Sequence, residues 1–201
     1  MKLRFRVPES GSVSPFAIVS TASSRNILVL LVTGTSSGIG RTLVQLILEK
    51  GENVAATARS PAALDDLAQT YTPTRLLVLR LDVTQPDQII DAFSAAKKAF
   101  GRIDVVVSNA GWGDLGEVEA MDERKGRGLL ETNFWGALHV SKEAIRFFRD
   151  DNPPGIGGRL LSMSSYLGLS GFPAAGYYVA SKFGEPPCGC AATNTRPDIM
   201  T

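Results

Sequence analysis

Two constellations in the sequence have residue types and spacing suited to chemistry. The first is Gly34-Thr35-Ser36-Ser37-Gly38-Ile39-Gly40, a run of small residues and glycines. At the start of a helix, such a run leaves backbone N–H groups and the positive end of the helix dipole open to an anion, with no bulky side chain in the way. The chemistry implied is the holding of a diphosphate. The same run also suits a tight strand-to-helix turn with no ligand. The second constellation is Tyr178 and Lys182, four apart and so on one helix face, with the neighbouring Tyr177 rotated away. A free phenol ionises near pH 10, too high for a base at neutral pH, and an ammonium beside it favours the phenolate. A tyrosine and a lysine at this spacing are also common packing residues on helices.

The elements around the glycines decide between those readings. Residues 27–33 form an unbroken apolar, partly β-branched run, which predicts a parallel strand covered on both faces. After the loop, Leu43, Val44, Ile47 and Leu48 recur at helical spacing, and Gly51 is placed to end that helix in a left-handed cap. Strand, glycine loop and helix in this order open a dinucleotide-binding βαβ unit. Gly34 permits the sharp turn, Gly38 lets a diphosphate approach the backbone, and Gly40 lets the helix pack close to the sheet. A second strand follows over residues 53–59. Where sites that prefer NAD carry an acid about 20 residues beyond the glycines, this sequence has Ala58-Arg59. No carboxylate there repels a 2′-phosphate, and a guanidinium pairs with one, which points to NADP. Arg59 would alternatively be a solvated residue at a strand end.

The rest of the chain continues the alternation. Ser60-Pro61 starts a short helix through Leu64 and Leu67, with Ser60 as cap and Pro61 at its first position. Residues 75–81 read as a third strand. Asp82-Val83 stands at its end, where a carboxylate meets an adenine amino group or serves only as a turn residue. Thr84-Gln85-Pro86-Asp87 reads as a capped helix start, and Ile89, Ile90, Phe93, Ala96 and Phe100 give that helix its buried face. Residues 103–108 form a fourth strand with Asn109-Ala110-Gly111 at its carboxyl end, the ligand side of such sheets. After a loop over residues 112–121, a single helix is expected over residues 127–150, with Asn133 as a polar residue inside it and His139, the one histidine, as structural. Residues 159–163 are a fifth strand followed by Ser164-Ser165. There is no internal repeat, and the whole reads as one doubly wound unit.

Composition excludes several classes. With 21 basic and 20 acidic residues the net charge is +1, so no nucleic-acid partner is implied. No apolar run reaches the roughly 18 to 20 residues needed to span a bilayer. Cys188 and Cys190 are too close for a disulfide framework and have no second Cys/His pair to make a zinc site, so no metal is expected. Residues 1–25 hold four basic side chains, Lys2, Arg4, Arg6 and Arg25, against Glu9 alone. That segment reads as a disordered extension or a mispredicted start; its alternative is an organelle-targeting segment, and the expected location is otherwise cytoplasmic.

Together these residues resemble the short-chain dehydrogenase/reductase family. The matching pieces are Thr33 to Gly40, Asp82-Val83, Asn109-Ala110-Gly111, Asn133, Ser165 and Tyr178-Val179-Ala180-Ser181-Lys182, in family order and at family spacing over residues 26–184. The resemblance implies a Rossmann-type doubly wound parallel sheet in three α/β/α layers. It implies hydride transfer between a nicotinamide and a small carbonyl or secondary alcohol substrate. Tyr178 would be the general acid/base, and Lys182 would lower its pKa and hold the nicotinamide ribose. Ser165 would hydrogen-bond the substrate oxygen, and Asn133 would anchor a water in the proton relay. Gly34, Thr35, Ser36, Ser37, Gly38, Ile39, Gly40, Arg59, Asp82, Val83, Asn109, Ala110 and Gly111 would line the cofactor, with NADP(H) expected ahead of NAD. The family often pairs two copies through the helices after its fourth and fifth strands.

The match stops abruptly at Gly184. The resemblance implies a catalytic helix running well past its lysine, then a sixth strand and a substrate lid. Residues 185–201 instead begin Glu185-Pro186-Pro187, lack apolar periodicity and read as an irregular tail. The expectation is a domain over residues 26–184 with a short catalytic helix, an open fifth-strand edge, and the C-terminal strands and lid missing. The other reading of function is therefore a truncated, non-catalytic nucleotide-binding fragment. The substrate is not named, because the residues that would select it lie mostly beyond Gly184.

Overall fold

The computed structural model describes residues 26–184 and the backbone of residues 191–192. The apolar run after Ile27 becomes strand β1 (Val29–Val32), and the glycine loop leads into helix α1 (Gly38–Glu49). Then come β2 (Asn53–Ala58), a 3-10 turn (Pro61–Leu64), α2 (Asp65–Thr70), β3 (Leu76–Arg80), α3 (Pro86–Phe100) and β4 (Val105–Ser108). The second half holds α4 (Glu123–Leu130), a π-helical turn (Glu131–Gly136), α5 (Ala137–Asp150), β5 (Gly158–Ser162), a 3-10 turn (Tyr166–Gly168), α6 (Gly176–Phe183) and β6 (Ala191–Ala192). The sheet order is β3-β2-β1-β4-β5-β6. The first five strands are all parallel, with Leu31 opposite Ala55 on one side and Val106 on the other. The chain winds outward from β1 to β3, then returns to place β4 beside β1. That reversal opens a crevice at the carboxyl ends of β1 and β4.

Alternate residues of each strand feed two cores, one on each face of the sheet. Leu31, Ala55, Val106 and Leu160 face α3 and α5, meeting Phe93, Ala96, Val140, Ala144, Phe147 and Phe148. Val32, Val54, Ala56, Val105 and Val107 face α1 and the Leu64–Leu67 turn, meeting Val44, Ile47 and Leu48. This is why the strands read as continuous apolar runs rather than alternating ones. Each fully buried Val, Leu or Phe contributes about 1.5–3 kcal/mol of transfer free energy, so this double-sided core holds the crevice open at one end of a rigid sheet.

Several expectations change in detail. The strands are shorter than their apolar runs because their outer residues enter turns. The helix expected over residues 127–150 starts earlier, at Glu123, because Asp122 Oδ1 caps it by accepting from Lys125 N at 3.1 Å. It is also not uniformly α-helical: the π-helical turn carries Asn133 and joins α4 to α5. Ser60 and Gln85 stand at the expected helix starts, yet neither side chain caps, and Thr84 Oγ1 donates instead to Asp82 Oδ1 at 2.9 Å. Gly51 does end α1 in the left-handed region, at φ +86°, with its N–H on Leu48 O. The segment expected to be wholly irregular after Gly184 contributes the two-residue β6, antiparallel to Gly158 and Arg159 of β5. The β5 edge is thus paired at its start, while Leu161 further along is 45% exposed. Residues 1–25, with their basic side chains, and Pro186, Pro187, Cys188 and Cys190 lie outside the described residues. No helix among the described residues is long and apolar enough to cross a membrane.

Candidate active site

The crevice is a cleft of about 610 Å³ bordered by the glycine loop, the ends of β2, β3 and β4, the loop after β4, and α6. Its floor is set by a latch between β1 and β4. Thr33 is fully buried, and its Oγ1 accepts from the backbone N–H of Asn109 at 2.9 Å and of Ala110 at 3.0 Å. Asn109 Nδ2 donates back to the carbonyls of Thr33 at 2.8 Å and Gly34 at 3.0 Å. The contacts leave no room for side chains. A Cβ at Gly34 would lie 2.7 Å from Ala110 Cα, and one at Gly40 would collide with the Gly34 carbonyl. These two glycines let loop, helix and β4 meet.

Gly38 differs. It sits at φ +57°, and a Cβ there would meet no protein atom within 4 Å. It therefore fronts open space at the α1 N-terminus, where Ser37 leaves its cap position without a side-chain bond. Free N–H groups, a helix dipole and a bare backbone facing a cleft fit a diphosphate. Ser36, Ser37 and Ile39 line the same cleft. Thr35 does not: it is fully buried, and its hydroxyl donates to Thr57 O at 3.0 Å, so it staples the loop to β2 rather than facing a ligand. Arg41 is likewise committed, to Ala63 O and Asp66, and its guanidinium holds the Asp66 carboxyl below the ordinary aspartate range.

At one end of the cleft lie Ala58, Arg59, Asp82 and Val83. Arg59 is exposed and has no hydrogen bond or ion pair among the described residues. Asp82 serves the turn: Oδ1 accepts from the N–H and hydroxyl of Thr84, at 3.0 and 2.9 Å. Its backbone N–H donates to Gln88 Oε1. Oδ2 makes no hydrogen bond to another described residue and Asp82 borders the cleft, so the turn and ligand readings of Asp82 are compatible.

At the other end, α6 brings Tyr178 and Lys182 to the same wall as Asn109, Ala110, Gly111 and Gly113. The Tyr178 ring lies against Gly113, where a Cβ would stand 3.3 Å from Cε2. Tyr177 points elsewhere, its ring packed on Gly126 of α4 so closely that a Cβ at Gly126 would lie 2.6 Å from Cε1. Lys182 is 8% exposed and donates from Nζ to Met163 O at 2.8 Å. The carbonyl after β5 thus fixes the ammonium beside the cleft.

Besides Thr35, two expected site residues stand apart from the cleft lining. Ser165 caps the 3-10 turn after β5, accepting from Leu167 N at 3.2 Å, while Met163 and Ser164 border the cleft. Asn133 is fully buried, and its side-chain amide is bound to protein groups. Its Oδ1 accepts from Trp112 N at 3.0 Å, and its Nδ2 donates to Trp112 O at 2.8 Å and Ser181 Oγ at 3.2 Å. The Asn133 side chain thus clamps the loop after β4 to α6. The Thr33 latch and the Met163 carbonyl were not legible beforehand, since both act through backbone partners far away in sequence.

Comparison with known proteins follows the same outline. A family model described as short chain dehydrogenase matches residues 28–185. An uncharacterized oxidoreductase of Schizosaccharomyces pombe is 39% identical over 154 residues, covering 77% of this chain and 50% of the relative. The 3-ketodihydrosphingosine reductase of Bacteroides thetaiotaomicron is 32% identical over 77% of this chain and 53% of its own length. Among solved structures, a short-chain dehydrogenase from Streptomyces avermitilis superimposes with a TM-score of 0.72 at 33% identity, covering 80% of this chain and 57% of that one. The chain spans about half the length of the curated relatives it matches.

Proposed function

The chain belongs to the short-chain dehydrogenase family, and from that premise we propose that it is an NADP(H)-dependent oxidoreductase interconverting a carbonyl and a secondary alcohol. The observation that carries the reading is the meeting, in one cleft, of an open helix N-terminus at Gly38 with Tyr178 and Lys182 of α6. Gly38, Ser36 and Ser37 would hold the diphosphate, Asp82 and Val83 the adenine end, and Lys182 the ribose beside the reacting carbon. When bound, the nicotinamide supplies or accepts the hydride. Tyr178 gives its phenolic proton to the carbonyl oxygen in reduction and takes the alcohol proton in oxidation. Lys182, tethered at Met163 O, keeps a positive charge near the phenolate that results. Ser165, or its cleft-facing neighbour Ser164, would steady the substrate oxygen. Arg59 supports NADP over NAD because it is an exposed cation on the cleft rim with no partner among the described residues.

A second reading, nucleotide binding without turnover, is favoured by α6 itself. It is eight residues long, and a helix this short depends on its packing to stay formed. One set of measurements separates the two. The purified chain is assayed for NADPH oxidation on a panel of ketones and aldehydes, with NADPH and NADH affinities measured alongside. The enzyme reading expects turnover that Tyr178→Phe removes. It also expects tighter NADPH binding that Arg59→Ala reduces by about one to two decades, the worth of one charge-assisted contact. Binding without turnover on any substrate would support the second reading, and equal affinities for both cofactors would end the claim for NADP.

A further inference from the structure

We infer that Ser181 is a positioning residue that ties Tyr178 to the loop after β4, an inference that rests on the proposed role of Tyr178. Ser181 is fully buried in α6. Its hydroxyl makes two bonds of opposite sense: it donates to the Tyr178 carbonyl at 2.8 Å and accepts from Asn133 Nδ2 at 3.2 Å. The Asn133 amide in turn is matched to both peptide groups of Trp112, as acceptor for its N–H and donor to its carbonyl. A continuous run of hydrogen bonds therefore leads from the loop after β4, through the π-helical turn, to the backbone of Tyr178.

The next residue of that loop closes the circuit. Gly113 lies against the Tyr178 ring, so the ring and the main chain of one tyrosine are both referenced to the Asn133 amide. The single O–H donor is spent on the Tyr178 carbonyl while a lone pair serves the Asn133 amide, and losing the hydroxyl leaves a buried Asn133 N–H without its acceptor. Alanine cannot take either bond, whereas threonine retains both and adds one methyl group. Displacements near 1 Å at a reacting group cost about 100-fold in rate, and the loss of one tether is a fraction of that. The position is inside the helix that carries Tyr178 and Lys182, yet Ser181 itself does not border the cleft.

The test compares Ser181→Ala and Ser181→Thr with the unmodified chain by steady-state kinetics, NADPH affinity and amide hydrogen exchange. Ser181→Ala should lower kcat about 10-fold while KM and the NADPH Kd change less than about 3-fold, and Ser181→Thr should recover most of the rate. In Ser181→Ala the Trp112 and Gly113 amides should exchange faster than in the unmodified chain, although they lie far away in sequence; in Ser181→Thr they should not. Unchanged kcat and unchanged Trp112 exchange in Ser181→Ala would overturn the inference. So would an equal loss of NADPH binding, which would mark a general folding defect. The exchange arm needs no turnover: if Tyr178→Phe leaves activity intact the functional reading fails, while faster Trp112 exchange in Ser181→Ala still establishes the tether and unchanged exchange still rejects it.

Discussion

At the residue scale, three glycines of one loop are glycine for two opposite reasons. Gly34 and Gly40 are hemmed in by Ala110, Asn109 and each other, so a side chain at either would meet backbone or a buried amide. Gly38 meets nothing, and its space belongs to whatever occupies the cleft. This contrast yields a prediction. Gly38→Val should abolish NADPH binding, followed by fluorescence titration, while the far-UV circular dichroism spectrum stays close to that of the unmodified chain. The positive φ adds about 1–2 kcal/mol of strain, which lowers Tm without unfolding the sheet. Unchanged NADPH affinity would reduce the loop to a turn. The glycine spacing was legible in the sequence because it obeys a local rule. The division of labour between Thr35 and its neighbours was not: Thr35 and Ser36 are chemically alike, and only the position of the Thr57 carbonyl turns one inward and leaves the other on the cleft.

At the element scale, strand and helix existence followed from apolar periodicity, and the misjudged features are those that periodicity does not carry. The π-helical turn is one. Residues 129–148 keep an apolar face, so nothing local announces that Glu131–Gly136 is wound differently; within that turn Asn133 is fitted to Trp112 and Gly136 to Val83. The pairing of Ala191–Ala192 with β5 is another, since two alanines carry no strand signal. Side-chain clusters between elements are equally silent in sequence. Asp151, just past α5, accepts from Lys97 of α3 at 2.8 Å and pairs with Arg146 at 2.6 Å, and these cations hold its carboxyl below the ordinary aspartate range. A depressed folded-state pKa contributes stability above the unfolded value and loses it as pH falls through the folded one. Asp151→Asn should therefore lower Tm at neutral pH, and its penalty should shrink below about pH 4, where the carboxyl of the unfolded chain takes up its proton. Because the group is partly exposed, raised salt should shrink the penalty too. Thermal melts of both chains at several pH values check this, and a penalty that grows in acid would refute it.

At the scale of the whole molecule, the cleft exists only where the two halves of the sheet meet. The doubly wound class was legible because a βαβ opening followed by further strand–helix alternation admits few topologies. The latch that shapes the floor was not, since Thr33 contacts residues 76 and 77 positions further on. That latch has a consequence in time. While the chain is folding, β1, α1 and β2 can assemble through local contacts, but the Gly34 carbonyl has no Asn109 amide until β4 docks beside β1. Long-range parallel pairing of this kind is slow to close. On dilution from denaturant, NADPH fluorescence enhancement should consequently lag behind recovery of the helical signal, and added NADPH should not speed the earlier phase. A nascent chain still short of Asn109 would carry the whole glycine loop and have no affinity for the nucleotide. On the proposed function, binding competence would then be a clock that starts only when the fourth strand arrives.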